Sequence, residues 1–290
     1  MRGPQDQQRV VFTGAGGDRL VADVFGEGSP VCLFLHGGGQ TRHSWQSSAA
    51  RLGAAGYRAI AVDQRGHGES DWPQNGAYAF SDYAADVSAL AGAIRQDTGH
   101  GTIAVGASLG GLASLLCEVT GPGTLQALVL VDVVPWMEPS GVDKIQGFMG
   151  ARIEEGFGTL EEAAEAIAAY LPHRPKPKSL DGLRKNLRLD ADGRYRWHWD
   201  PRFLSGPRSI NSDRDRFAHE IPAALKTLTC PVLLVRGARS ELITKGAAER
   251  FLHYVPHAKY VDVTDAGHMV AGDSNDVFSD VVERFVYTLG

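Results

Sequence analysis

Short, unbroken apolar runs recur along the chain, among them VCLFL at 31–35, AIAV at 59–62, ALVLV at 127–131 and VLLV at 232–235. A strand with one face in water alternates apolar and polar residues. A run without alternation must be buried on both faces, which a parallel sheet between two helix layers provides. The intervening segments fit this reading. Tyr83, Val87, Leu90 and Ile94 are spaced at four, three and four residues, one face of a helix, and Ser81 can cap it. Arg9 to Thr13 and Arg19 to Phe25 predict a β-hairpin across the Gly14–Asp18 turn. Tyr57 to Val62, Thr102 to Val105, Leu125 to Val131 and Lys259 to Val263 read as further strands. Helices are expected over Trp45 to Leu52, Leu112 to Val119, Ala247 to Leu252 and Val277 to Leu289. The predicted fold class is α/β, a mostly parallel eight-stranded sheet with helices on both faces.

The alternation stops between about Pro135 and Pro222 and then resumes. Residues 1–134 and 223–290 are therefore expected to form the core, with 135–222 inserted as a helical cap. Within the insert, Thr159 and Glu162 have capping-box spacing before AAEAIAAYL, and Pro172 stops that helix. At 290 residues the chain is long enough for one large domain with a substantial core. The net charge of −5 gives no global attraction to nucleic acid or an anionic membrane. The three cysteines, Cys32, Cys117 and Cys230, form no disulfide framework or zinc spacing, and each sits in an apolar stretch as a small buried hydrophobe. With neither a signal-peptide pattern at MRGPQDQQRVVF nor about 18 consecutive apolar residues, the chain reads as soluble and cytoplasmic.

Ligands of an open parallel sheet bind beyond the carboxyl ends of the strands. Here those ends carry His36-Gly37-Gly38-Gly39, Gly106-Ala107-Ser108-Leu109-Gly110, Asp132, Arg236 to Glu241, and Asp265-Ala266-Gly267-His268. A lone Gly-x-Ser-x-Gly is weak, since chance supplies roughly 0.25 matches in a chain of this composition. Its setting makes it specific: IAV precedes it as a strand and LASLLCEV follows as a helix, the strand–turn–helix of a nucleophile elbow.

Four segments in order carry a resemblance to α/β-hydrolase-fold proteins over nearly the whole chain. They are His36 to Gly39, Asp63-Gln64-Arg65-Gly66-His67-Gly68-Glu69-Ser70, Gly106 to Gly110, and Gly267-His268-Met269. The resemblance implies Ser108 as nucleophile and His268 as general base, then acid. It also implies the backbone N–H groups of Gly38 and Leu109 as oxyanion donors. The commonest family acid follows the seventh strand, three residues after the glycine, where this chain has Ser240 with Glu241 one step later. Asp132, in a Val-Asp-x-x-Pro segment, matches family members whose acid ends the sixth strand. Asp132 is favoured and Glu241 is the alternative. Asp63, Arg65 and His67 are expected to be structural.

Residues 172–208 carry ten Lys or Arg against four Asp, a local +6 that suits either an anionic substrate or a solvated face. From Arg194 to Trp199 the alternation has period two, with Tyr195, Trp197 and Trp199 expected inward and the cations in water. Trp45 and Trp136 are candidate pocket residues. The functional expectation is a serine hydrolase that cleaves an ester, amide or related acyl bond of a small molecule, without cofactor or metal. Alternatives are carbon–carbon bond hydrolysis beside a ketone, a cofactor-free perhydrolase or haloperoxidase, and a slow-turnover ligand receptor.

Overall fold

The computed structural model describes residues 7–172, 179–212, 220–264, 266–267 and 275–289. Eight strands form one sheet: β1 (Gln8–Thr13), β2 (Arg19–Phe25), β3 (Val31–Leu35), β4 (Arg58–Val62), β5 (Thr102–Ala107), β6 (Ala127–Val131), β9 (Val232–Gly237) and β10 (Lys259–Val263). Their order is β1-β2-β4-β3-β5-β6-β9-β10. β2 runs antiparallel to β1 and β4, and every pairing from β4 to β10 is parallel. The expected eight-stranded, mostly parallel sheet is therefore present.

The unbroken apolar runs are central strands. Every residue of β3 and β6 is buried, and alternate side chains supply the two faces. Leu33, Leu35, Leu128, Leu130 and Leu234 join one core layer with α2 (Phe80–Thr98), α3 (Leu109–Thr120) and α7 (Lys245–Tyr254). Cys32, Phe34, Val105, Val129 and Val235 join the other with α1 (Gln46–Ala54) and α8 (Asn275–Tyr287). All three cysteines are buried and unpaired, and burial pushes each thiol up to about 12. Among the described residues no helix is long and apolar enough to cross a membrane.

Two local expectations change. Helix α2 begins at Phe80, and Ser81 lies inside its first turn; the Asp82 carboxylate accepts the Ala79 N–H at 3.0 Å, so the acid secures the helix start. Between β6 and β9 the chain forms α4 (Pro139–Gly150), α5 (Leu160–Tyr170) and α6 (Arg202–Ser205), but also a two-stranded antiparallel sheet of β7 (Leu187–Leu189) and β8 (Tyr195–Trp197). The Thr159 cap of α5 is present, accepting the Glu162 N–H at 3.1 Å, while the Glu162 carboxylate takes the Gly158 N–H at 2.6 Å.

The inward aromatic face of β8 is as expected for Trp197 and Trp199, which are buried. Its cations are not left in water. Arg196 pairs with Asp190 and Asp192, and Arg194 donates to the Glu155 and Gly156 carbonyls. Arg188, Arg202 and Arg208 are likewise paired, with Asp190, Asp200 and Asp82. Among these pairs only Asp82 comes from outside 172–208, so pairing orders these arginines while the segment keeps most of its excess positive charge.

Candidate active site

The chain order places β4 on one side of β3 and β5 on the other, so the loops leaving β3 and β5 diverge and open a crevice at their carboxyl ends. Register aligns these ends: Leu35 lies opposite Gly106, Ala107 opposite Val131, and Val131 opposite Val235. The residues that follow each strand are thereby brought to one edge.

Ser108 sits between β5 and α3 with φ 46° and ψ −111°, a backbone state that L side chains rarely adopt. The turn is tight because its flanking residues have no side chains. A Cβ on Gly106 would lie 2.5 Å from the Gly110 carbonyl carbon, and one on Gly110 would lie 2.6 Å from the carbonyl carbon of Leu35. The strained turn lifts Ser108 above the sheet, half-buried, while its N–H reaches Val131 O at 3.4 Å.

The glycine loop after β3 lies alongside. A Cβ on Gly37 would come within 3.5 Å of Ser108 Cβ. Two buried histidines brace this loop. His36 Nδ1 donates to Gly37 O at 2.8 Å and its Nε2 accepts the Gln64 N–H at 3.0 Å. His67 Nδ1 donates to Arg65 O at 3.0 Å and its Nε2 accepts the Gly39 N–H at 3.1 Å. Burial pushes His36 down to about 4 and His67 down to about 3, the latter helped by the neighbouring His36, so both rings are neutral acceptors near neutral pH. Among the described residues, the N–H groups of Gly38 and Leu109 have no hydrogen-bond acceptor. Leu109 is the first residue of α3, where no intrahelical acceptor exists.

Asp132 follows β6, fully buried, with φ 49°. Its N–H reaches Val235 O at 2.7 Å; Oδ1 accepts the Gly237 N–H at 2.9 Å, and Oδ2 accepts the Ser240 hydroxyl at 2.5 Å. Ser240 also accepts the N–H groups of Leu242 and Ile243, each at 3.1 Å. A Cβ on Gly237 would lie 2.7 Å from Ala266 O and closer still to Gly267 O, so the backbone at 266–267 passes directly over the Asp132 partner. Asp265 and His268 lie outside the described residues. Glu241 is exposed and paired with Lys144 Nζ at 2.7 Å.

The other candidates lie elsewhere. Trp45 is buried between Phe34 and Phe278, in the core layer that α1 and α8 cover. Trp136 packs on α7, with its ring 5.3 Å from that of Tyr254 and the Arg250 guanidinium 4.0 Å above it. Asp63 and Arg65 tie loops together: Asp63 accepts from Arg42 at 2.6 and 2.5 Å, and Arg65 forks onto Asp86 with two 2.6 Å bonds. Sequence reasoning missed the residues that roof the glycine loop. Phe203 of α6 would lie 3.1 Å from a Cβ on Gly38, and Met149 of α4 would lie 2.8 Å from one on Gly39. Nothing in their local sequence marks them, since the contact joins segments more than a hundred residues apart. The Ser240 contact was traceable, because it occupies the position where relatives commonly carry the acid.

Residues 32–281 match the model of the alpha/beta hydrolase family. The 2-(acetamidomethylene)succinate hydrolase of Mesorhizobium japonicum is 30% identical over 92% of each chain. Esterase Rv0045c of Mycobacterium tuberculosis is 27% identical over 99% of this chain and 92% of its own. The crystal structure of E-2-(acetamidomethylene)succinate hydrolase superposes with a TM-score of 0.79 and 26% identity, covering 97% of this chain and 99% of the other. With the sheet order, the strained serine turn and these similarities together, the chain belongs to the alpha/beta hydrolase family.

Proposed function

We propose that the protein is a serine hydrolase that cleaves an ester, amide or related acyl bond of a small molecule through an acyl-serine intermediate. The observation that carries this reading is Ser108, held at φ 46° on the sheet edge beside two backbone donors, Gly38 and Leu109, without acceptors among the described residues. Two neighbouring N–H groups left without a protein acceptor are open to a ligand, and a developing oxyanion is the acceptor that such a pair suits.

In this mechanism Ser108 Oγ attacks the acyl carbon while His268 takes its proton. The carbonyl π electrons move to oxygen, where the N–H groups of Gly38 and Leu109 hold the charge. Collapse breaks the bond to the leaving group, which receives the proton from the imidazolium. Water then attacks the acyl-serine, with His268 again as base, and releases the acid and free Ser108. Asp132 is the acid we assign to orient His268. Its burial, its two donors and the passage of residues 266–267 against Gly237 support it over Glu241, whose carboxylate is exposed and engaged by Lys144. Segment 135–222 serves as the cap, with Met149 and Phe203 over the oxyanion loop excluding water. The relatives' names, a hydrolase and an esterase, agree with this class of chemistry.

The test is time-resolved hydrolysis of short p-nitrophenyl esters by the wild type and by Ser108→Ala. A burst followed by turnover, abolished in Ser108→Ala, is expected. Full activity in Ser108→Ala removes the mechanism.

A further inference from the structure

Ser240 lies half-buried in the loop after β9, and its hydroxyl is engaged on every side. Oγ accepts the N–H groups of Leu242 and Ile243, each at 3.1 Å, and donates to Asp132 Oδ2 at 2.5 Å. A hydroxyl has one proton and two acceptor lone pairs. With both lone pairs taken by backbone N–H groups, the proton has one direction left, toward the acid. The other carboxylate oxygen, Oδ1, accepts the Gly237 N–H at 2.9 Å. Two donors from β9 and its loop, one on each oxygen, thus fix the rotation of a fully buried carboxylate.

The backbone that holds the hydroxyl is itself anchored. Leu242 and Ile243 are buried. Leu242 O accepts the N–H of Glu138, which precedes α4, at 2.9 Å. Ile243 O accepts from Arg236 Nε at 2.7 Å, and Arg236 pairs with Asp262 of β10 at 3.0 Å. A serine that served the turn alone would need only the two N–H groups. The bond to Asp132 is a separate interaction, and its length is that of a charge-assisted O–H···O⁻ bond, the stronger kind. Orientation is what a triad acid supplies, and a misplacement of about 1 Å in a catalytic group can cost about a hundredfold in rate.

Building on the serine-hydrolase reading with Asp132 as its acid, we propose that Ser240 is a positioning residue: its hydroxyl holds Oδ2 so that the carboxylate keeps one orientation through both acylation and deacylation. Ser240 touches no reacting atom and acts through Asp132 alone.

The test measures kcat and KM for p-nitrophenyl acetate in wild type, Ser240→Ala, Ser240→Cys and Ser240→Thr, and repeats Ser240→Ala in an Asp132→Asn background. Alanine removes the donor, cysteine keeps a similar shape with a weak donor, and threonine keeps the hydroxyl. In the alanine and cysteine variants kcat should fall by about 10- to 100-fold while KM stays within about twofold, because the lost orientation is felt in the transition state. Ser240→Thr should restore most of the lost kcat. In the Asp132→Asn background Ser240→Ala should change kcat by about twofold at most, since the group it acts through is already disabled. A serine needed only for the turn would lower activity by the same factor in both backgrounds. Thermal melts establish which variants are folded at the assay temperature, and Ser240→Cys decides if Ser240→Ala is not. Wild-type kcat in folded Ser240→Ala or Ser240→Cys, no recovery in folded Ser240→Thr, or an undiminished effect in the Asp132→Asn background overturns the proposal. If wild type is inert toward the ester, or Asp132→Asn is as active as wild type, the hydrolase reading or its acid falls and the proposal falls with it; where both hold, failure of the Ser240 variants counts against Ser240 alone.

Discussion

His36 and His67 make the stability of this protein, and the shape of its glycine loop, sensitive to mild acid. Both rings are fully buried, their centres are 5.1 Å apart, and each uses Nε2 to accept a backbone N–H. In the folded protein they titrate at about 4 and about 3, whereas unfolded histidine titrates at about 6.5. As pH falls through 6.5 the unfolded chain binds protons that the folded chain does not, so these groups stabilise the fold above that value and the stabilisation drains away below it. At about pH 5, still above both folded values, each histidine has withdrawn about 2 kcal/mol relative to pH 8, about 4 kcal/mol for the pair. Urea unfolding followed by tryptophan fluorescence between pH 8 and pH 5 measures this. Depressed carboxylates such as Asp192, at about 2, lose their contribution only at lower pH and leave this window to the histidines. Two others, His43 and His198, are also lowered by burial, so the decisive comparison is wild type against His67→Gln. The variant's pH-dependent loss should be smaller by about 2 kcal/mol at pH 5, although its stability at pH 8 is lower. An identical pH slope in the two proteins would refute the assignment of His67 as a neutral buried acceptor.

Further outcomes follow from the same geometry. Asp132→Asn should lower kcat/KM for p-nitrophenyl esters by about ten-thousand-fold, the effect of a mis-set imidazole, while Glu241→Gln should change it by about twofold at most; the reverse ranking would transfer the acid to Glu241. Ser240→Ala strips a donor from a buried carboxylate and an acceptor from two N–H groups, at a cost of about 2–3 kcal/mol by urea denaturation; an unchanged midpoint and slope would contradict that network. Gly110→Ala forces a Cβ to 2.6 Å from the Leu35 carbonyl carbon, where backbone cannot yield. A loss of about 3 kcal/mol, seen as a melting point lower by roughly 6–10 °C, is expected, and a wild-type melting point would show the elbow to be looser than described.

Much of this protein is legible in its sequence, because local physics sets it. Unbroken runs such as VCLFL and ALVLV can only be strands buried on both faces, and Gly106-x-Ser108-x-Gly110 between a strand and a helix can only turn sharply. The order of residues along the functional edge followed from asking what stands after each strand. The stretch between β6 and β9 was less legible. Its excess of Arg over Asp gave no sign that Arg208 would find Asp82 or that Arg194 would bind main-chain carbonyls, and its short strands β7 and β8 are too brief to announce themselves. Nor could local pattern tell that Trp45 serves the core on α1 and α8, or that Met149 and Phe203 meet the glycine loop. Periodicity reports which face of an element is buried, not which distant segment buries it. Sequence alone thus determined the sheet and the serine turn, whose reasons lie within a few residues. Only the tertiary structure decided the roof over the glycine loop and the partners of Asp132, because those contacts exist only once remote segments close on one another.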